Sequence, residues 1–539
     1  MTGRARSLGV ALLFVGLTLM MTWPQATHMS SYVYDADDPL LSIWRISWIA
    51  HILPWHPAEI FNGNIFYPEP RTLAYTDSVL LQGLLGAPFI WAGVSKVAVY
   101  NALLLASIAL SGWAMWRYAL HLTGDTIAAL LAGIIFAFVP YRFDHFHHLE
   151  LQATVFLPLT LLYFDRALES RSPRDAWLTM ACFTGQIYTC IYYSIFLATA
   201  LLFIAAYRLM QVPTAERIRF VRVMAAPALV SAAVAAPYAA AYMLNRSSLG
   251  DRLDRDVYLY SATLRNYLAT SEFNVLYGRW SQPFGQPERL LFPGITAMAL
   301  AAAGLMRMDR ARVTLAIAAI IGFVLSLGLN SPVYEWLRLV FTPYRGLRAP
   351  ARASILLFLA IAVLAAFGYA RLVRGRTPAM RAAMAALLAC ALIGEYFTLM
   401  GAWLTVPRQP AEVYRWLAGQ PRSVVVEVPF ARADRLHAIA DGLYMFSSTY
   451  HWQPIVNGYS GFFPKSFYEM SLYMRTFPDD ESIAFLRKRG VEVIVVHGAL
   501  LGPDQFGATT AALIARPDIE AVAQFQEQMG LDAVFRIKR

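Results

Sequence analysis

The sequence predicts a polytopic α-helical membrane protein that ends in a small α/β domain. Hydrophobic residues make up 58% of the 539 residues and charged residues only 15%, whereas a soluble domain carries about 25% charge. Apolar runs of roughly 15 to 22 residues, near the length that crosses a bilayer, recur along most of the chain. Beyond Pro407, helix-like and β-rich segments alternate. We therefore expect a transmembrane domain over residues 1–406 and an α/β domain over residues 407–539.

The first apolar run, MTGRARSLGVALLFVGLTLMMTW, resembles a signal peptide, but no small-x-small cleavage site follows it. We therefore predict an uncleaved membrane helix there, the first of about eleven. The predicted membrane helices lie near 7–23, 98–116, 126–140, 150–165, 175–189, 192–209, 223–242, 290–306, 312–328, 352–371 and 381–404.

Arginines set the predicted orientation. Arg4 and Arg6 place the N-terminus in the cytoplasm, because cytoplasmic loops carry the excess of basic residues. Alternation then makes four further arginine-rich loops cytoplasmic, near 166–174, 208–222, 307–312 and 371–381. If the apolar run 78–94 spanned the membrane, all of these later arginine-rich loops would lie outside. Its central Gly-Ala-Pro favours a re-entrant or interfacial helix instead. The C-terminal domain is therefore predicted to lie outside the cytoplasm.

The composition also excludes several classes of protein. The net charge of +10 could indicate nucleic-acid binding, but the arginines cluster between apolar runs, so we predict no nucleic-acid partner. Three cysteines lie inside apolar runs, as packing residues do. No Walker loop, GxGxxG, GxSxG or HExxH motif occurs, which argues against nucleotide-driven transport and standard serine or zinc hydrolysis.

The C-terminal domain is predicted from alternating patterns. EVYRWLAGQ, ESIAFLRKRG and TTAALIAR have helical patterns, whereas SVVVEVP, VEVIVVH and AVFRIK have strand patterns. Such alternation favours one compact α/β domain.

An acidic cluster, Asp35, Asp37 and Asp38, lies in the long first external loop, 24–97. One interpretation is a solvated turn, since Asp and Pro favour turns, and another is a metal site, although the ligand spacing is not diagnostic. The third is a general base near the membrane surface. Trp44 and Trp48 support it, because they share one face of an interfacial helix.

The turn YRFDHFHHLE at 141–150 concentrates ionisable groups at a membrane interface. Such residues can be simple anchors. A zinc site would need a third ligand at motif spacing, and none occurs. We predict substrate contact by His145, His148 and Glu150, because ionisable groups at membrane depth are usually functional.

The segment 331–351 places arginines on the external side, against the usual charge rule. They could snorkel from a helix end toward water. We favour an anion site made by Arg345, Arg348 and Arg352, because the guanidinium fork suits phosphate.

Several stretches together resemble the GT-C class of membrane glycosyltransferases, in the bacterial branch grouped with dolichyl-phosphate-mannose-protein mannosyltransferase-like and YfhO-like proteins. These stretches are DADDPLLSIWRISW in the first loop, the NIFYP…TLAYTDSVLLQGLLGAPF segment, VPYRFDHFHHLELQ, YRGLRAPAR and STYHWQPIVNGYSGFFP. The resemblance covers most of the chain and implies a GT-C-like fold.

This resemblance implies an inverting transfer of a sugar from a polyprenyl-phosphate donor to a glycan, lipid or protein acceptor at the external face of the bilayer. A first-loop carboxylate would act as the base, and Asp38, which precedes a proline, matches that position, with Asp35 and Asp37 as neighbours. Asn457 and Tyr459 of the tail motif would bind substrate, and the segment 451–464 is expected to fold over the membrane site rather than join the soluble core. No cofactor is assigned, and a divalent metal stays an alternative.

Two other functions compete with this prediction. A transporter or flippase of lipid-linked glycans would need charged residues in mid-helix and inverted repeats, whereas the predicted helices are nearly free of charge and no repeat is found. A non-catalytic assembly protein for cell-envelope glycans is distinguished only by the activity of variants at the acidic cluster.

Overall fold

The computed structural model describes residues 3–401, 403–430, 435–527 and 530–538. The chain forms two compact units, which are described separately. The first, here called the membrane unit, consists of Met1–His28, Asn101–Ala240 and Asp251–Ala402. The second, the α/β unit, consists of Met29–Tyr100, Ala241–Gly250 and Trp403–Arg539.

The membrane unit is built from helices, two of which (α4 and α11) contribute end residues to the other unit. They are α1 (Gly3–Met21), α4 (Lys96–Thr123), α5 (Thr126–Phe138), α6 (Pro140–Asp144), α7 (Leu149–Gln152), α8 (Phe156–Ser170), α9 (Pro173–Thr189), α10 (Ile191–Met210), α11 (Thr214–Leu249), α12 (Asp254–Leu259), α13 (Gly278–Ser281), α14 (Ile295–Leu305), α15 (Arg310–Ser326), α16 (Pro332–Val340), α17 (Ser354–Leu372) and α18 (Pro378–Tyr396).

Seven helical segments among the described residues are long and apolar enough to cross a membrane. They are Gly3–Met21, Lys96–Thr123, Thr126–Asp144, Ile191–Met210, Thr214–Leu249, Pro350–Leu372 and Pro378–Tyr396. The chain is thus a multi-pass membrane protein. Each predicted membrane helix overlaps a helix of the structure, but the prediction 381–404 runs past the end of α18 at Tyr396 and into β2 (Trp403–Thr405). The remaining helices, α8, α9, α14 and α15, are shorter than these seven. The count of eleven spans therefore stays a prediction.

Helix α17 forms the core of the membrane unit, and nearly all of its residues are buried. It packs closely against α14 through two glycines. A Cβ on Gly304 would lie 2.1 Å from the Leu364 carbonyl oxygen, and one on Gly368 would lie 1.9 Å from that of Leu300. Only glycine allows the two backbones to approach this closely, as in other tightly packed membrane helices.

The α/β unit combines helices with two sheets. Its elements are β1 (Tyr32–Tyr34), α2 (Asp38–Ile52), α3 (Leu80–Trp91), β2 (Trp403–Thr405), α19 (Glu412–Ala418), β3 (Val424–Val428), α20 (Arg435–Ser448), α21 (Lys465–Tyr473), α22 (Asp480–Lys488), β4 (Val491–His497), α23 (Gly498–Leu501), α24 (Pro503–Ile514), β5 (Ile519–Glu527) and β6 (Gly530–Ile537). Helix α3 has 12 residues and spans about 18 Å, less than the bilayer core of about 30 Å. It is therefore too short to cross the bilayer as a single helix. This agrees with the predicted orientation, in which the segment 78–94 does not span.

The main sheet has the strand order β3-β4-β6-β5. Strands β3 and β4 are parallel, whereas β6 pairs antiparallel with both β4 and β5. The Val/Ile-rich runs of β3 and β4 are buried almost throughout, as expected for strands covered on both faces. The six predicted elements of the domain are all present, whereas β5, α20 and α21 were not predicted.

The first loop is part of the α/β unit because the tail motif lies between it and the sheet. Val456 N donates to Val425 O of β3 (3.0 Å), while Phe66 N donates to Asn457 O and Tyr67 N to Ile455 O (both 3.0 Å). The compact unit therefore includes 29–100, which the predicted division at residue 406 assigned to the transmembrane part. The expectation that 451–464 stays apart from the soluble core is wrong, since its Ile455 and Val456 are buried beside β3.

Candidate functional site

The acidic cluster of the α/β unit lies where β1 turns into α2. Asp35 has a positive φ of 71°, which ends the strand and turns the chain. Asp37 is the N-cap of α2, and its carboxylate accepts a hydrogen bond from Asp38 N at 2.7 Å. Asp38 and Pro39 form the first turn, where a proline costs no hydrogen bond and an acid faces the positive end of the helix dipole. All three carboxylates are half-buried.

The environment of Asp37 favours proton uptake near neutral pH. Burial, followed by the negative charge of Asp38, raises the pKa of Asp37 to about 6. The carboxylate of Asp38 accepts a hydrogen bond of 3.4 Å from the Tyr459 hydroxyl. A carboxylate with a pKa near the working pH is well suited to act as a general base. Because the side chain of Asp37 caps the helix, Asp38 is the better placed of the two to meet a substrate.

Tyr459 and Asn457 have different places in the tail motif. Asn457 is fully buried; its Nδ2 donates to Glu427 O at 3.0 Å, and its Oδ1 accepts from Glu427 N at 2.8 Å. The side chain thus imitates a strand partner for β3 and helps to hold the segment. We therefore leave Asn457 out of the proposed substrate contacts and keep Tyr459, which reaches Asp38.

The membrane unit holds a second candidate site, here called the arginine cluster: Arg252, Arg348, Arg352 and Glu288. Arg352 lies on the 3₁₀ turn before α17 and donates two hydrogen bonds to the carboxylate of Glu288. They run from Nε to Oε2 (2.8 Å) and from Nη2 to Oε1 (2.5 Å). Glu288 has a φ of +65°, a left-handed conformation that a glutamate rarely adopts. Burial would raise the pKa of Glu288, but the charge and hydrogen bonds of Arg352, together with the charges of His145 and His148, outweigh burial and hold this pKa well below its usual range.

Two histidines of the turn after α6 border this ion pair. His145 Nδ1 lies 3.8 Å from Glu288 Oε2, and His148 Nε2 lies 3.8 Å from Oε1. His148 Nε2 is also 3.4 Å from Arg352 Nη2. His145 is only 1% exposed, and neither of its ring nitrogens has a hydrogen-bond partner among the described residues. Buried polar atoms are normally paired, so such an atom indicates a group that awaits a ligand or water.

Positive charge exceeds negative charge in the arginine cluster. The guanidinium of Arg348 lies over the Tyr260 ring, 5.0 Å from its centre, and within the described part of the chain no carboxylate forms an ion pair with it. Burial lowers the pKa of Arg252 to about 10, and the charges near it are those of Arg348, Arg352 and the carboxylate of Asp256. The guanidinium of Arg348, beside the engaged Arg352, therefore makes a site suited to an anion such as phosphate.

The side chain of Arg345 has different partners from those of Arg348 and Arg352. Its Nε donates to Arg338 O at 2.7 Å and its Nη2 to Leu339 O at 3.0 Å. The guanidinium therefore caps the last carbonyls of α16, as basic residues at helix ends commonly do. The sequence grouped Arg345 with Arg348 and Arg352, but the structure does not bring its side chain into the arginine cluster. Glu150, on α7, is buried.

Comparison with known proteins identifies the family. The model of a family described as a domain of unknown function, DUF6311, matches residues 44–334, more than half of the chain. The chain belongs to this family. No curated protein matches this DUF6311 chain in sequence.

Solved structures identify the fold. The cryo-EM structure of the arabinofuranosyltransferase AftD from Mycobacteria is similar with a TM-score of 0.66 at 16% identity, over 100% of this chain and 40% of AftD. The DUF6311 chain thus spans two fifths of the length of that enzyme. The crystal structure of the Archaeoglobus fulgidus oligosaccharyltransferase, in complex with Zn and sulfate, is similar with a TM-score of 0.52 at 14% identity, over 92% of this chain and 68% of that one. The fold is that of the GT-C class, as predicted, whereas the YfhO-like branch stays a prediction.

A separate group of potential metal ligands lies elsewhere in the membrane unit: His121, Asp165 and Glu169. Arg208 already supplies the cation there, since its Nη1 lies 2.5 Å from Asp165 and its Nη2 lies 3.5 Å from Glu169. This group is therefore an internal ion-pair network of the DUF6311 chain.

Sequence reasoning missed Glu288 and Arg252. Glu288 lies in a loop without a motif, and only the fold brings it to Arg352. Arg252 had a usable signal, because the predicted helix count also places the loop 243–289 outside, and this loop carries several arginines.

Proposed function

We propose that the protein transfers a sugar from a polyprenyl-phosphate donor to a hydroxyl-bearing acceptor (a glycan, a lipid or a protein) at the external face of a bacterial inner membrane. The observation that carries the proposal is the excess of arginine over carboxylate in the arginine cluster, in a chain with the GT-C fold. A lipid-linked donor can keep its tail in the bilayer while its phosphate reaches such a cluster.

The reaction needs two kinds of group. The acceptor oxygen attacks the anomeric carbon and forms the new glycosidic bond, while the bond from that carbon to the phosphate oxygen breaks with inversion. Asp38 takes the acceptor proton, and the electron pair of the broken bond leaves on polyprenyl phosphate. Removal of a proton by a positioned base contributes about a hundred- to ten-thousandfold in rate.

Arg348 and Arg352 are assigned to the leaving phosphate. Charge that develops on the phosphate in the transition state is stabilised by donors that are already fixed in place. Arg352 is held by Glu288 and lies over the Tyr192 ring, 5.0 Å from its centre. Arg348 has its charge available, because it has no carboxylate partner among the described residues. His145 and His148, beside Glu288, are assigned to the sugar or phosphate oxygens.

The two structural neighbours support this class of reaction by their names, since one is an arabinofuranosyltransferase and the other an oligosaccharyltransferase. At these identities the likeness concerns the fold, so the donor and acceptor of this chain rest on its own residues.

The test is a transfer assay with purified protein in proteoliposomes and a panel of polyprenyl-phosphate sugars. We expect release of the carrier phosphate with at least one donor, dependent on an acceptor. Tight binding of a donor without release, together with its movement between leaflets, would instead identify a flippase. Absence of both binding and release with every donor would favour the non-catalytic assembly protein.

A further inference from the structure

Helix α16 of the membrane unit has three distinct faces. Tyr334 and Leu337 are buried against the unit. Glu335 and Arg338 form a polar edge. The remaining large side chains are apolar and exposed, with Trp336 at 57% and Leu339 at 69%; the others are Val333 and Val340.

The exposed side chains form one continuous strip. Residues three and four positions apart lie on the same side of a helix, so Val333, Trp336 and Val340 lie together, with Leu339 beside them. The exposed ring of Phe341 continues the strip past the end of the helix. A strip of large apolar side chains this dense is seldom left in water and marks an interaction surface.

The helix cannot turn this strip inward, because its other faces are fixed. The Tyr334 ring packs edge-on against Tyr344, with centroids 5.5 Å apart, and the Tyr344 hydroxyl lies 2.7 Å from Thr199 Oγ1 of α10. On the polar edge, Arg338 pairs with Asp254 at 2.7 Å. The strip therefore faces outward from the membrane unit.

The surroundings along the chain indicate what covers the strip. Helix α16 begins at Pro332, shortly after α15, a predicted membrane helix, ends at Ser326. The chain returns to the bilayer in the segment Pro350–Leu372. A short helix between two membrane helices, with tryptophan in its apolar strip and charges on its edge, has the composition of an interfacial helix. We propose that α16 lies in the membrane interface and that bilayer lipid covers the strip formed by Val333, Trp336, Leu339 and Val340.

This placement also has a consequence for the arginine cluster, which rests on the proposed function. Arg345 caps the carbonyls of α16, and its own carbonyl accepts a hydrogen bond from Arg252 N at 3.0 Å. A helix immersed at the interface is thus connected through one residue to the cluster assigned to the donor phosphate. It would hold that cluster at the depth of a lipid-borne phosphate.

The test uses spin labels on single cysteines, in a background where Cys182, Cys190 and Cys390 are replaced, in proteoliposomes. Trp336→Cys and Leu339→Cys probe the strip, and Glu335→Cys is the matched control on the same helix. We expect the ratio of collisions with oxygen to collisions with a water-soluble nickel chelate to be severalfold higher for the strip than for the control. Equal ratios at all three sites would overturn the proposal, as would protection of the strip from both reagents, since a protein would then cover it.

A second measurement separates this proposal from the proposed function. Leu339→Asn should raise the KM for a long-chain polyprenyl donor severalfold and leave the KM for a short, water-soluble donor unchanged, while the spin-label result stands without any activity. An equal rise for both donors would contradict the positioning role of α16. Failure of the wild type to transfer from any donor, with the strip lipid-exposed, would reject only the transferase.

Discussion

Each unit buries a histidine among charged groups, but the two histidines differ in the hydrogen bonds of their ring nitrogens. In the α/β unit, His497 pairs through both ring nitrogens, with Glu427 at 2.6 Å and Asp532 at 3.0 Å. In the membrane unit, His145 is equally buried and has no hydrogen bond on either nitrogen among the described residues. The ring of His497 is held by two carboxylates, although Oε1 of Glu427 has no hydrogen bond among the described residues, whereas both ring nitrogens of His145 are without one.

This difference separates groups that hold the fold from groups that are available to a ligand. Burial would lower the pKa of His497, but its two carboxylate partners outweigh burial and raise the pKa to about 10, so the imidazolium is a permanent part of the core. A buried ion-pair network of this kind loses stability when one member is removed. In a network with unpaired groups, such as the arginine cluster, removal of one member should instead lower the activity of the protein.

The largest expected effect concerns the acidic cluster, where function and fold can be separated at a helix N-terminus. Asp38→Asn removes the proposed base and should lower the transfer rate by about a hundred- to ten-thousandfold, with normal abundance. Asp480→Asn is the matched control, since Asp480 is the first residue of α22, as Asp38 is of α2, and has no proposed catalytic role. Both variants are compared in the proteoliposome assay. An Asp38 variant as active as the control would remove this residue from the mechanism.

The next largest effect tests the His497 ion pairs. His497→Gln leaves two buried carboxylates without their cation, so the free energy of unfolding should fall by about 3 to 5 kcal/mol. His145→Gln breaks no hydrogen bond and should cost far less stability. Denaturant titrations of both variants in detergent check this. Equal losses would abolish the distinction between the two histidines.

The arginines give a smaller effect on turnover. A charged hydrogen bond contributes roughly 1.5 to 3 kcal/mol, and each tenfold in rate corresponds to about 1.4 kcal/mol. Arg348→Ala should therefore lower transfer about ten- to a hundredfold, with Lys intermediate because it keeps the charge but loses the fork. The matched control is Arg345→Ala, which removes the cap that joins α16 to the cluster but no proposed phosphate ligand, and should leave kcat nearly unchanged. Abundance falling in step with activity for Arg348 would reject the phosphate role.

The most gradual expected effect is a pH dependence of stability. Folded His497 keeps its proton up to about pH 10, whereas an ordinary histidine releases it near 6.5. Its contribution to stability is therefore complete below pH 6.5 and is lost gradually between 6.5 and 10. Unfolding free energies measured across this range should fall more steeply for the wild type than for His497→Gln. His451→Gln is the control, because burial lowers the pKa of His451 to about 3 and this side chain is already neutral.

The membrane helices and the strands β3, β4 and β6 could be predicted from the sequence, because hydrophobic runs and alternation are local signals. Strand β5 could not, since Ile519 is its one buried residue and the rest of this edge strand gives no clear pattern. Contacts across long sequence distances were also out of reach: nothing in the sequence links Glu288 to Arg352. The turn of Arg345 back onto α16, away from Arg348, depends on local backbone geometry that spacing alone does not show.

The most direct test of the central claim is the acceptor-dependent release of polyprenyl phosphate by purified protein in proteoliposomes, with the donor that the panel identifies. The wild type and a variant with Asp35, Asp37 and Asp38 all changed to Asn are measured side by side at equal, folded amounts. We predict release by the wild type and none above background by the variant. Equal release by the two proteins, or none by either with any donor, would contradict the assignment of this chain as a transferase that uses its first-loop carboxylates.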